Sequence, residues 1–304
     1  MKKVSVVLCL IVLLLAGSVG IANAAVDYVT GVSAASGWSD VNKTNVYGSD
    51  SLMCWAAAAS NALVYTGWTG WDSTANGGTG GAYASADDIY AVFTAGWSNA
   101  AGNAMFAYEW WMTNRTESYF VDGGGNSVKQ FPSAGLNFYP GEVVQSGAGS
   151  VTGVVWTPGP NDIYNSINSY ITADRGLVAA IDVNAPGGGG SYSHAITIWG
   201  WDPVAEEIYI TDSDDGMDAL RTYDFYQSGG NMFIDNYSNL YTGSTDVMIA
   251  QLVRLARNDS NVQPNHPTNG GGDDGNGTQV PEPASLLLFG AGLSGIMLLR
   301  KKMS

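Results

Sequence analysis

The chain has 304 residues and a mass of 31.8 kDa, with 12 Lys and Arg against 27 Asp and Glu, a formal charge of -15. That acidity excludes a nucleic-acid binder, which needs a basic footprint. An apolar content of 45% excludes wholesale disorder.

Residues 1–24 read as a secretory signal. Lys2 and Lys3 form the charged start, an apolar run follows from Val4 to Ala16, and Ala22-Asn23-Ala24 is a small-x-small cleavage site. Residues 25–258 make one domain by length. Ser49, Asp50 and Ser51 offer N-cap side chains to a helix over 52–63, whose alanines suit close packing in a buried position. Ser85 begins a second helix with a capping-box-like pattern, and 103–115 is a third. A fourth spans 161–175, with Ile163, Ile167, Tyr170 and Ile171 at helical spacing before Gly176. Strands follow at 177–183, 194–201, 207–212 and 247–255, the middle two forming a hairpin around Asp202-Pro203-Val204-Ala205. Helices early and strands late predict an α+β class with a mainly antiparallel sheet.

Residues 259–280 are a Gly/Asn/Asp segment with almost no apolar content, predicted to be a disordered linker. Residues 281–304 hold Pro281-Glu282-Pro283, an apolar run over 284–299, and Arg300-Lys301-Lys302. The apolar run predicts a short transmembrane helix, and the basic cluster a cytoplasmic stop. The three-part tail resembles the PEP-CTERM sorting signal of Gram-negative bacteria. That resemblance implies processing by an exosortase-type enzyme, membrane attachment through the C-terminal helix before processing, and a final place in the cell envelope, outside the cell or in a biofilm matrix.

Cys9 lies in the signal segment, which makes Cys54 the single thiol of residues 25–304 and excludes an intramolecular disulfide there. His194 and His266 are the two histidines, and His266 falls in the polar segment. One Cys and one His in the body exclude a four-ligand Cys/His zinc site. Cys54 falls at the start of the Ala-rich helix, where the dipole lowers a thiol pKa. His194 shares strand parity with Ile196 and Ile198, and Asp212 with Ile208 and Ile210. In the predicted hairpin the imidazole and the carboxylate therefore point to one face, close enough for a hydrogen bond. A thiol, a histidine and a carboxylate are the parts of a nucleophile, base and orienter system. An inert buried Cys and a satisfied core His are the bland alternative.

The segment 37–44 (GWSDVNKT), Asp50-Ser51-Leu52-Met53-Cys54 with Ala57 and Asn61, and the segments 194–200 and 208–214 resemble blocks of the IdeS/Mac family of cysteine endopeptidases, in the family's order. The resemblance covers about a fifth of the domain. It implies a papain-like fold with Cys54 as nucleophile, His194 as base and Asp212 as orienter. It also implies Lys43 as an oxyanion-hole contributor and Asp214 as a second acidic site residue supporting His194 or Lys43. A loop carboxylate or a metal-binding carboxylate is the alternative for Asp214. Trp55 stands where the family has Gly, and the Lys43-to-Cys54 interval is one residue longer than in the family. No cofactor or metal is implied, and the partner is a protein substrate. Two alternatives stay open: a transglutaminase-like acyl transferase, and a non-catalytic matrix or adhesion protein. Aromatic clusters such as Trp68/Trp71 and Trp110/Trp111 read as core, with sugar stacking the alternative.

Overall fold

The computed structural model describes residues 26–44, 50–72, 80–97, 99, 102–113, 119–121, 127–129, 135–144, 150–156, 160–182, 194–239 and 243–265. The chain divides into two compact units, Met1–Pro267 and Thr268–Ser304. The second lies wholly outside the described residues, as do the predicted signal segment, the C-terminal apolar run and the Gly-rich stretch at 186–190. Among the described residues no helix is long and apolar enough to cross a membrane.

Six antiparallel strands close on themselves. They are β7 (Gly176–Asp182), β8 (His194–Asp202), β9 (Glu207–Thr211), β10 (Arg221–Ser228), β11 (Asn231–Asn239) and β12 (Gly243–Leu255). The order β8-β7-β12-β11-β10-β9 is closed by pairing of β8 with β9, through Thr197 with Thr211 and Ile198 with Ile210. Two strands lie outside the ring: β1 (Asp27–Tyr28) pairs β8, and β6 (Thr152–Trp156) pairs β12. Two short hairpins, β2–β3 (Trp71–Asp72 with Gly81–Ala82) and β4–β5 (Tyr119–Val121 with Ser127–Lys129), stand apart.

The expected papain-like α+β fold, with a central helix against a mainly antiparallel sheet, is thereby corrected: the body is mostly sheet, a closed six-strand antiparallel barrel with few helices. The four expected strands are present, but β10 and β11 were not foreseen, and these two complete the ring. In β10 only Tyr223 and Phe225 alternate with exposed neighbours, and in β11 a register shift between Ile234 and Tyr237 interrupts the alternation. Closure itself is a long-range pairing that local pattern does not encode.

Four helices are described: α1 (Cys54–Thr66), α2 (Ala86–Trp97), α3 (Ala104–Met112) and α4 (Pro160–Thr172). Each covers an expected helix. Helix α1 lies on the outer face of β7 and β8 rather than at the centre of the fold. Its alanines at 56, 57, 59 and 62 are fully buried, and Gly176 at the start of β7 leaves room for Ala62 and Thr66. The helix ends at Gly67, whose left-handed φ of 83° lets its N–H cap the Leu63 and Val64 carbonyls.

Two apolar clusters result. The barrel interior holds Leu177, Ala179, Ile181, Ile196, Ile198, Ile208, Ile210, Met232, Ile234, Val247 and Ile249, and Ile163, Ile167 and Ile171 of α4 join it. The other cluster joins α1, α2 and α3 to the outer face of the sheet. Trp68, Trp110 and Trp111 are buried there, with the Trp111 indole N–H donating to the Trp68 carbonyl, so these rings pack the core. Because α1 packs through alanine against two strands, added volume has nowhere to go. Ala59→Leu is expected to destabilise the fold by about 1–3 kcal/mol, read as a lower urea midpoint at unchanged slope.

Candidate functional site

Cys54 opens α1. Its N-cap residue is Met53, which makes no side-chain capping bond. Asp50, one of the expected caps, acts elsewhere. Asp50 is buried, and its carboxylate accepts from the Thr44 N–H at 2.7 Å, the Thr44 hydroxyl at 2.9 Å and the Tyr90 hydroxyl at 3.2 Å. Asp50 thus ties the chain just after Lys43 to α2. The N-terminal field of the helix is left without a capping carboxylate beside Cys54.

His194 opens β8 and Asp212 follows β9 directly, so the hairpin brings both to one end of the barrel. The imidazole Nε2 lies 2.5 Å from Asp212 Oδ1, and both side chains are buried. The ring also lies near enough to the Cys54 side chain for each group to shift the other's titration. The carboxylate of Asp212 has two further donors: the Asp214 N–H donates to Oδ1, the oxygen that His194 holds, at 2.9 Å, and the Tyr237 hydroxyl donates to Oδ2.

Lys43 is buried, which is unusual for a lysine. Its Nζ sits 2.5 Å from Asp214 Oδ1 and donates to the Ser51 carbonyl at 2.7 Å. Its backbone N–H donates to the Ser213 carbonyl at 3.1 Å, binding the 39–44 segment to the loop after β9. Asp214 Oδ2 lies 3.3 Å from His194 Nδ1, so this carboxylate bridges the ammonium and the ring. All five residues singled out in the sequence, Lys43, Cys54, His194, Asp212 and Asp214, therefore converge.

A polar seam holds these elements in register. Asn61 of α1 accepts from the Val41 N–H at 3.3 Å and donates to Thr197 Oγ1 at 3.1 Å. Thr211 of β9 donates to the Ser39 carbonyl at 3.0 Å and accepts from the Trp199 indole at 2.9 Å. Next to Cys54, Trp55 meets Phe93 and Trp97 edge-on, which anchors α1 to α2.

The charges follow from this packing. Burial pushes the Cys54 thiol up, but the hydrogen bond and charge of His194, with the nearby Lys43 ammonium, bring it below the ordinary thiol value. Burial pulls His194 down, yet Asp212 and the thiolate hold it well above the ordinary imidazole value. Asp212 works against burial in the same way: His194, the Tyr237 hydroxyl and the Asp214 N–H keep its carboxyl below the ordinary range. Asp214 is raised, since burial outweighs His194 and Lys43. Burial, the neighbouring Asp215 and Asp212 push Asp40 up to about 8, against the Ala219 N–H. At pH 7 Asp40 is mostly neutral and spares Asp212 a further like charge. Both shifts, the thiol down and the imidazole up, favour a thiolate–imidazolium pair.

His194, Asp212 and Asp214 also place ligand atoms within 4.8 Å of one another, a spacing that suits a metal ion. Lys43 already fills the cation position on Asp214, and Tyr237 and His194 take both oxygens of Asp212. The donor set fits an ion pair network better than a metal centre.

Sequence reasoning missed Tyr237 and the structural use of Asp50. Tyr237 lies on a strand not foreseen, and nothing in its local pattern marks it. Asn61 figured only through the resemblance.

No curated protein matches the chain. Residues 279–302 match the model of the PEP-CTERM protein-sorting motif. That motif marks the chain as an exported protein of the Gram-negative cell envelope, recognised by an exosortase-type processing enzyme.

Proposed function

We propose that this exported protein is a cysteine endopeptidase that cleaves peptide bonds of a protein outside the cytoplasmic membrane. The observation that carries the reading is the grouping of the partly exposed Cys54 with buried His194 and Asp212, with a lowered thiol and a raised imidazole, beside the Lys43 ammonium. The resemblance of the blocks around these residues to the IdeS/Mac family supports a peptide substrate. That likeness is one of blocks and not of overall fold.

The chemistry follows from the placement. The Cys54 thiolate attacks the scissile carbonyl carbon, and the carbonyl electron pair moves onto oxygen. The N-terminal field of α1 and the Lys43 charge stabilise that oxyanion. His194 gives its proton to the leaving amine, and a thioester remains on Cys54. Water then loses a proton to His194, attacks the thioester and releases the acid. Asp212 holds the ring through Nε2 and favours the imidazolium.

Iodoacetamide tests the nucleophile without knowledge of the substrate. An ordinary thiol with a pKa of about 8.5 is only about 0.3% thiolate at pH 6. Cys54 is expected to react at pH 6 roughly tenfold faster or more. The rate should fall on the acid side only well below the ordinary thiol range. Hydrolysis should decline on the alkaline side only well above the ordinary imidazole range, as His194 loses its proton. Ordinary slow labelling would favour a non-catalytic protein. Mass spectrometry of products from a protein mixture, with and without added amine, separates hydrolysis from acyl transfer.

A further inference from the structure

Strand β11 contains one residue more than its partner needs. Ile234 pairs with Val247 and Tyr237 with Thr245, so β11 uses three steps where β12 uses two. In regular alternation the inward positions after Met232 and Ile234 would continue at Asn236. The extra residue reverses the parity. Asn236 turns outward with a left-handed φ of 49°, and Tyr237 turns inward, fully buried. Asp246 of β12 pins this bulge: its Oδ1 accepts from the Asn236 N–H at 3.1 Å, and its Oδ2 from the Tyr226 hydroxyl at 2.8 Å. Bulges commonly re-aim a side chain in this way. The re-aimed hydroxyl donates to Asp212 Oδ2, the oxygen that His194 does not use. Tyr223 packs its ring against Tyr237 at 5.5 Å, and its own hydroxyl donates to the Ser238 carbonyl at 3.2 Å, which steadies the arrangement.

We infer that Tyr237 is a positioning residue for the candidate site, placed by the β11 bulge to fix the Asp212 carboxylate and, through it, the orientation of the His194 ring towards Cys54. This rests on the cysteine-nucleophile reading above. A carboxylate held only by His194 Nε2 and the Asp214 N–H, both on one oxygen, is free to swing about its Cβ–Cγ bond. A donor on the second oxygen stops that rotation. The sequence cost of the device is a single inserted residue, with an aspartate opposite to accept its N–H.

The test uses the full exported chain and two readouts that need no substrate. The first is the second-order rate of Cys54 labelling by iodoacetamide at one fixed pH. The second is the NMR resonance of the His194 Nε2 proton, which is readily assigned because the chain has only two histidines. Tyr237→Phe keeps the ring and removes the donor. It is expected to slow labelling about tenfold and to shift or broaden the His194 resonance, at a urea midpoint that still shows a folded protein. Asp246→Ala leaves Tyr237 chemically intact but removes the acceptor of the bulge, and is expected to move both readouts in the same sense by less. Wild-type labelling rate and an unmoved resonance in folded Tyr237→Phe would overturn the inference. Slow, ordinary labelling of the wild-type protein would instead overturn the cysteine-nucleophile reading beneath it.

Discussion

Cys54→Ala is expected to reduce peptide-bond cleavage by roughly 10⁴-fold or more while the protein stays folded, because loss of a nucleophile removes the covalent route altogether. The substitution deletes one sulfur at the first residue of α1, a partly exposed position, and alanine suits a helix start. The variant also reports on the ion pair. The thiolate is one of the groups that raise His194, so its removal should lower the His194 pKa, read from the imidazole resonances against His266 as an internal reference. Full activity in this variant would remove Cys54 from the mechanism. His194→Ala is the less clean experiment. It strands the buried Asp212 carboxylate without its cationic partner, a change of the class that costs about 3–5 kcal/mol, so lost activity would mix with lost fold.

Lys43→Ala is expected to have the second-largest effect, and it acts in two ways. Turnover should fall by about 10²- to 10³-fold, the usual loss for one oxyanion-stabilising group. Stability should fall as well, by about 3 kcal/mol, since the buried Asp214 loses the ammonium 2.5 Å away. The double variant Lys43→Ala/Asp214→Asn separates the two. Removing both charges should restore part of the urea midpoint and little of the turnover. Recovery of turnover along with stability would make Lys43 a structural residue only.

The site was more legible in the sequence than the fold around it. Cys54 is the single thiol of the body, Lys43 is one of few basic residues there, and His194 and Asp212 fall in one hairpin whose parity fixes their common face. Rarity and period-two alternation are local properties, and a sequence displays them directly. The strands β7, β8, β9 and β12 were visible for the same reason. The ring was not. Nothing within 207–211 says that β9 pairs both β8 and β10, and in 221–228 the alternation is confined to Thr222–Phe225, with polar Gln227 at the next inward position. The bulge in β11 also defeats a parity argument, because it reverses inside and outside between Ile234 and Tyr237. Helix caps failed for a different reason. Ser49, Asp50 and Ser51 have the right chemistry for the start of α1, but Asp50 is drawn to Thr44 and Tyr90, and Met53 takes the cap position.

The uncapped start of α1 sets a conflict between durability and reactivity. A serine or aspartate at an N-cap ordinarily strengthens a helix by about 0.5–2 kcal/mol. At position 53 an aspartate would place an anion next to the sulfur and oppose the thiolate, and even a neutral hydroxyl would consume amide dipole now aimed at the reacting atoms. Met53 is fully buried, so the position contributes apolar packing instead. Selection for a hardier envelope protein would therefore have to find its improvements elsewhere in the chain, because fortifying this one turn would blunt the chemistry proposed for Cys54.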